Sequence, residues 1–195
     1  MKRTDVISYC FLTAFLILLF LAASINFSSC GKDSEATPET PGNTENLYPA
    51  KITAVVDGDT VKIQFAENIP DQCSKNETVR LIGVNTPELN LHKAAEAEYF
   101  ALEAYQYTNR YYKEEVNLQL DDISAMRDKY GRLLAYVWLC NATMLNKNLI
   151  EDGYGRYYNA FLFNEKYMKE FSEAEILAIQ SKKGIWGGIQ NDKRR

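Results

Sequence analysis

Residues 48–65 read YPAKITAVVDGDTVKIQF, and the reading of this stretch decides the fold. Residues 48–56 alternate in polarity up to Asp57-Gly58, and beyond it Val61, Ile63 and Phe65 fall on one face. A period of two marks a strand with one buried face. Asp-Gly is a leading turn signal. The stretch therefore predicts two strands, 48–56 and 60–65, joined by a tight turn.

Downstream, residues 67–76 form a polar loop with Pro70, Asp71 and Asn76, and TVRLIGV at 78–84 predicts a third strand, stopped by Asn85, Thr86 and Pro87. A helix is expected over 93–112, where Ala97, Ala101, Ala104 and Thr108 make a stripe of small residues beside Phe100, Tyr107 and Tyr111. Small residues let a helix lie close on a curved sheet. Residues 116–120 read as a fourth strand. After the charged loop DDISAMRDKYG, the fully apolar LLAYVWL at 133–139 reads as a fifth and central one. Two helices, 143–151 and 165–182, close the domain. The second carries Tyr167, Phe171, Ala174 and Ala178 at helical spacing, with Gly184 past its end; Trp186 is expected to fold back on the core. Three strands, a helix, two strands and then helices is the order of an α+β domain built on a five-stranded OB-type β-barrel with about three α-helices. Barrel closure removes exposed strand edges.

The ends differ from this domain. Lys2 and Arg3 precede an apolar run over 7–27, and Ser28-Ser29 lead to Cys30-Gly31. This resembles the lipobox of bacterial lipoproteins, although Phe27 stands where a smaller aliphatic residue is usual. It implies a signal peptide over 1–29 and acylation of Cys30. An uncleaved single-span anchor is the alternative, since about 20 apolar residues can cross a bilayer. Either places the domain outside the cytoplasm, membrane-anchored at the outer membrane, the cell surface or the periplasmic side. Residues 30–47 lack large apolar side chains over most of their length and read as a flexible tether. Residues 48–188 are one domain without internal repeats, and 189–195 are a charged, solvated tail.

From Tyr48 onward there are 19 Lys and Arg against 21 Asp and Glu. No broad basic face is expected, so attraction for phosphate has to be local. His92 is the only histidine. That excludes His-rich metal sites and catalytic arrangements needing a second histidine, and His92 itself reads as a surface loop residue. Cys10 lies in the signal. Cys73 and Cys140 could pair in an oxidising compartment or stay free, and their spacing does not choose. The absence of CxxC argues against zinc, and Gly153-Tyr154-Gly155 lacks the rest of any nucleotide fingerprint.

Three polar clusters remain: Asp57-Gly58-Asp59-Thr60, the run from Arg80 to Glu88 (RLIGVNTPE), and Asp128-Lys129-Tyr130-Gly131-Arg132. Singly they read as a hairpin turn, an edge arginine before a helix start, and a loop. Together, in this order, they resemble the staphylococcal-nuclease (thermonuclease) family, through VVDGDTVKI at 55–63, VRLIGVNTPE at 79–88 and DKYGRLLAYVW at 128–138, with support from LIEDGYGRYY at 149–158 and KKGIWG at 182–187. The resemblance covers the whole domain. It implies an OB-fold, dependence on one divalent cation, Ca2+, and endonucleolytic cleavage of DNA and RNA that leaves a 3′-phosphate. It assigns the metal to Asp59, the Thr86 carbonyl and Asn85, general-base activation of water to Glu88, and the phosphate grip to Arg80 and Arg132. A planar guanidinium can hold two oxygens at once. Asp57 would reach the metal through water, and Arg127 reads as structural or solvated.

One departure is notable. Well-known members carry aspartate where this chain has Asn85, so the site loses one negative charge and weaker calcium binding is expected. A nucleic-acid-binding or scaffold module without catalysis is the rival reading. Retention of Arg80, Glu88 and Arg132 with Asp59 weighs against it. No protein partner is legible, and the chain is expected to be a monomer.

Overall fold

The computed structural model describes residues 47–89 and 97–188. The N-terminal apolar run, Cys30, the tether up to 46, His92 and the tail lie outside the described residues. Strands β1 (Leu47–Asp57), β2 (Thr60–Phe65), β3 (Asn76–Leu81), β5 (Glu115–Gln119) and β6 (Leu133–Trp138) close into a barrel in the order β1-β2-β3-β6-β5. Two short strands, β4 (Val84–Asn85) and β7 (Arg156–Tyr157), pair outside it. The helices are α1 (Ala101–Asn109), α2 (Leu145–Glu151) and α3 (Glu165–Gln180), followed by a 3-10 turn at Gly184–Trp186. This is the expected five-stranded α+β barrel with three helices.

The alternation that predicts β1 and β2 is realised in their register, with Ile52 opposite Ile63 and Asp57 opposite Thr60. Irregularities between Ile52 and Ala54 and between Val55 and Asp57 interrupt the ladder, and such bulges bend a strand and sharpen its twist. Ile52, Val61, Ile63 and Phe65 are fully buried with Val79, Leu118, Leu133 and Tyr136. Burying each aliphatic side chain of this kind contributes about 1.5–3 kcal/mol relative to exposure. LLAYVW lies between β3 and β5, parallel to the first and antiparallel to the second. In a closed barrel every strand has two neighbours, and the near-continuous burial of LLAYVW comes from the helices on its outer side, where Tyr136 and Trp138 meet Tyr167 and Tyr136 also meets Phe171.

The expected third strand, 78–84, is two strands. β3 stops at Leu81, and Ile82-Gly83 turns the chain out of the barrel with Gly83 at φ +74. A Cβ there would meet the Phe171 ring at 2.6 Å, so both the backbone angle and the space require glycine. Buried Asn146 locks this break, donating from Nδ2 to the Ile82 carbonyl (2.9 Å) and accepting from the Val137 amide (3.0 Å). Residues 85–88 are thereby carried out of the barrel ladder.

The helix expected over 93–112 is also shorter. Phe100 sits in the left-handed region (φ 71) directly before α1, and Lys113 (φ 68) follows it. Tyr111 and Tyr112 bond three residues back instead of four. Residues 93–96 lie outside the described ones. The small-residue stripe is real within α1, since Ala101, Ala104 and Thr108 are buried together with Tyr107. In α3, Tyr167, Phe171, Ala174 and Ala178 form the buried face. Ile185 is buried, whereas Trp186 is half-buried beneath the Arg156 guanidinium, 4.6 Å from its ring centroid. Cys73 and Cys140 are both free. Among the described residues no helix is long and apolar enough to cross a membrane.

Candidate active site

The Asp57–Thr60 turn, the segment after the β3 break and the turn before β6 meet at one end of the barrel. Asp59 is 4% exposed. Its Oδ2 accepts from the Thr86 amide at 2.9 Å and lies 3.1 Å from Arg80 Nη2, and its Oδ1 accepts from the Thr60 hydroxyl at 3.1 Å. A polar group so deeply buried is costly without hydrogen-bond partners, and these three satisfy it. The turn is held from below, because Thr108 Oγ1 on α1 donates to the Gly58 carbonyl at 2.6 Å. Glycine is needed here too: a Cβ on Gly58 would lie 2.7 Å from Thr86 Oγ1.

Arg80 pairs across the barrel with Thr60 on β2 and Leu134 on β6. Its guanidinium turns back toward the broken strand. Nη1 donates to the Leu81 and Val84 carbonyls, each at 2.7 Å, and Nη2 donates to Asn85 Oδ1 at 2.9 Å. This fixes the Asn85 amide with its oxygen toward the Arg80 guanidinium and its nitrogen toward the Thr86 carbonyl at 3.5 Å. Thr86 Oγ1 is buried with no hydrogen-bond partner among the described residues.

Glu88 is exposed, and its backbone is bracketed by Glu98: the Glu88 amide donates to Glu98 Oε2 (3.0 Å), and the Glu98 amide donates to the Glu88 carbonyl (3.1 Å). Its side chain hydrogen-bonds Asp57. Burial, together with the carboxylates of Glu88 and Asp59, pushes the Asp57 carboxyl up to about 7 against the opposing pull of the Gly58 amide. Asp57 thus sits beside Asp59 and Glu88 as a partner that holds a proton near neutral pH.

Arg132 enters from the opposite side. Asp128 organises its turn, accepting from the Tyr130 and Arg132 amides through Oδ1 and from Arg132 Nε through Oδ2 at 2.7 Å. Burial opposes it, but these bonds hold the Asp128 carboxyl below the usual carboxylate range. Arg132 Nη1 reaches Thr60 Oγ1 at 3.3 Å, so one hydroxyl links Arg132 to Asp59. Arg80, Asn85, Glu88 and Arg132 line a single cleft of about 500 Å³, bordered by Tyr130, Tyr158 and Phe161. Asp59 and Thr86 stand behind it. All six residues expected at the site are therefore neighbours. Thr60, Thr108, Glu98 and Asp128 were given no role from sequence. Asp128 opens the DKYGR cluster and Thr60 follows the second aspartate, so both carried a local signal, whereas the Thr108 and Glu98 contacts join separate segments and carried none.

Among the described residues no three His, Cys, Asp or Glu side chains come together as a ready-made metal cage. The oxygens expected to hold a cation are the Asp59 carboxylate, the Asn85 amide oxygen and the Thr86 carbonyl, which here meet Arg80, the Thr86 amide and the Asn85 amide nitrogen, and beside them stands the orphaned Thr86 hydroxyl. Such a set suits a hard divalent cation that keeps part of its water.

Residues 78–188 match the model of the staphylococcal nuclease homologue family. The chain is 33% identical over 174 residues to the thermonuclease of Staphylococcus hyicus, covering 88% of this chain and 89% of that protein. At that coverage the aligned part has to include the Asp57–Thr60 turn. It is 28% identical over 204 residues to an uncharacterised protein of Methanocaldococcus jannaschii, covering 90% and 93% of the two chains. It is also 32% identical over 148 residues to the endonuclease YncB of Bacillus subtilis, covering 74% and 64%. With a family model that matches residues 78–188 and a thermonuclease 33% identical over 88% of this chain and 89% of its own length, this chain belongs to the staphylococcal nuclease family.

Proposed function

We propose that this member of a phosphodiester-hydrolase family is an exported, calcium-dependent endonuclease that acts on DNA and RNA and leaves 3′-phosphates. The observation that carries the reading is the convergence of Arg80, Glu88 and Arg132 on one cleft in front of buried Asp59. The scaffold alternative gives no reason for these groups to face a common space.

Asp59, the Thr86 carbonyl and Asn85 would hold the cation. When bound, it supplies a positive charge that polarises a phosphate oxygen and favours charge build-up in the transition state. Glu88, exposed at the cleft, takes the proton of the attacking water, a role worth roughly 10²- to 10⁴-fold. Arg132 grips the phosphate from the cleft mouth, and Arg80 sets the potential beneath it.

Purified protein is incubated with plasmid DNA and with RNA in calcium or in chelator, beside Glu88→Gln. Cleavage that survives chelation, or equal cleavage by the variant, overturns the mechanism. Export rests on residues 1–30 alone. Mass spectrometry of the mature N-terminus should find an acylated Cys30, and an uncleaved Met1 would favour the single-span anchor.

A further inference from the structure

We infer that Arg127 positions Arg132: its guanidinium ties the turn that carries Arg132 to the β2–β3 loop and to β3, so the cleft arginine is presented from a braced support. The inference rests on the nuclease reading for its importance, but its geometry is independent of it. The turn needs such a brace. Gly131 (φ +80) has nothing within 4 Å of where a Cβ would lie, and Tyr130 is 72% exposed, so packing does not hold this segment. Asp128 orders the turn internally, backbone bonds from the Asp128 amide to the Arg132 carbonyl and from the Leu134 amide to the Met126 carbonyl join it to the start of β6, and Arg132 Nη1 meets Thr60, but none of these reaches β3 or the β2–β3 loop.

Arg127 does. Nη1 donates to Glu77 Oε2 at 2.9 Å and to the Gly131 carbonyl at 3.0 Å; Nη2 donates to Glu77 Oε1 at 2.8 Å and to the Gln72 carbonyl at 3.1 Å. One planar group therefore joins β3, the β2–β3 loop and the residue adjacent to Arg132. Each anchor is itself fixed. Glu77 lies in the β3 ladder opposite Ile63 and accepts from the Ser74 amide at 2.7 Å, and its side chain is 9% exposed. Gln72 adopts φ 64, an unfavourable conformation for a residue with a side chain, and its carbonyl is one of the four acceptors that Arg127 meets. The long loop at 67–76, which has no role legible in sequence, becomes one of the two supports, with β3, to which Arg127 ties the Arg132 turn. A lysine at 127 would keep the charge but has one nitrogen and no fork, so it cannot bridge four acceptors in a plane.

The test compares Arg127→Ala, Arg132→Ala and the double variant on a short single-stranded DNA, at a temperature where circular dichroism shows each to be folded. A displacement of about 1 Å can cost up to about 10²-fold, and Arg127→Ala is expected to lower kcat/KM about tenfold in the parent. In the Arg132→Ala background it should lower it no further. An equal fold-loss in both backgrounds, or no loss in the parent, overturns the inference. Arg127→Lys gives a second reading if the alanine variant does not fold, and it is expected to lose activity in the same direction. The Arg132 backbone amide resonance supplies a readout independent of activity. It shares its peptide group with the Gly131 carbonyl that Arg127 holds, so it should be sharp in the parent and shifted and broadened in Arg127→Lys. An unchanged resonance overturns the inference even if the parent cuts DNA. If the parent proves inactive, the nuclease reading falls and this resonance still decides the role of Arg127.

Discussion

Arg80 leaves a barrel strand and Arg132 leaves a turn, and the two guanidinium groups differ in how much of their hydrogen-bonding capacity the protein consumes. Both Nη nitrogens of Arg80 make two contacts each, to the Leu81 and Val84 carbonyls, Asn85 and Asp59, and its side chain is only 12% exposed. Arg132 is 31% exposed, spends Nε on Asp128 and Nη1 on a long contact to Thr60, and keeps Nη2 for a ligand. The difference teaches that two arginines assigned the same role by resemblance do unequal work. Arg80 is a pillar that holds Asp59 and the 85–86 segment in place, and Arg132 is the group with donors left to give.

The largest effect should come from Arg80→Ala. It strands a buried carboxylate and three acceptors, and breaking such a pair costs about 3–5 kcal/mol. Denaturant unfolding is expected to show that loss, together with a drop in cleavage on the order of 10²-fold or more. Arg132→Ala should lower cleavage on the order of 10²-fold while stability falls by less than about 1 kcal/mol, the range for part-exposed pairs. Equal destabilisation by the two variants would break the contrast. Next in size is Asn85→Asp, which places a full negative charge between Arg80 and the Thr86 carbonyl. The half-saturating calcium concentration should fall several-fold, because affinity for a hard cation follows ligand charge; an unchanged value in a metal titration would show that Asn85 does not limit the site.

The smallest effect concerns the brace under Arg132. Hydrogen bonds from Arg127 hold the Glu77 carboxyl below its ordinary value of 4.5, against some burial. A carboxylate depressed in the folded state adds stability that is present above the unfolded value and is lost as pH falls through the folded one. The stability gap between the parent and Glu77→Gln should therefore be about 1 kcal/mol near neutral pH, discounted for partial exposure, and should close as pH falls through and below the ordinary carboxylate range. A gap that persists in acid would mean that Glu77 acts through packing and not through its charge.

How much of this was legible varies with the kind of interaction. The alternation around Asp57-Gly58 and the apolar run LLAYVWL announced their strands, because burial of one face imposes a period of two and burial of both faces removes it. The break after Leu81 was not legible. TVRLIGV reads as continuous strand until the Phe171 ring, 88 residues on, is known to occupy the space beside Gly83. The helix before β5 was overextended for a related reason, since Phe100 takes a left-handed angle that no aromatic residue advertises. Glu98 against Glu88, and Thr108 against Gly58, escape sequence reading because each bond joins segments tens of residues apart or across a loop.

The sequence by itself determined which residue types stand at the cleft, that Asn85 lowers the charge available to a cation, and that any grip on phosphate is local in a nearly neutral domain. Those properties follow from the identity and count of side chains. Only the tertiary structure decided that Asp57 keeps its proton to about 7, that Arg80 is saturated while Arg132 is not, and that Arg127 spans β3, the 67–76 loop and Gly131. Desolvation and hydrogen-bond saturation depend on which distant groups share a volume, and that is settled when the barrel closes.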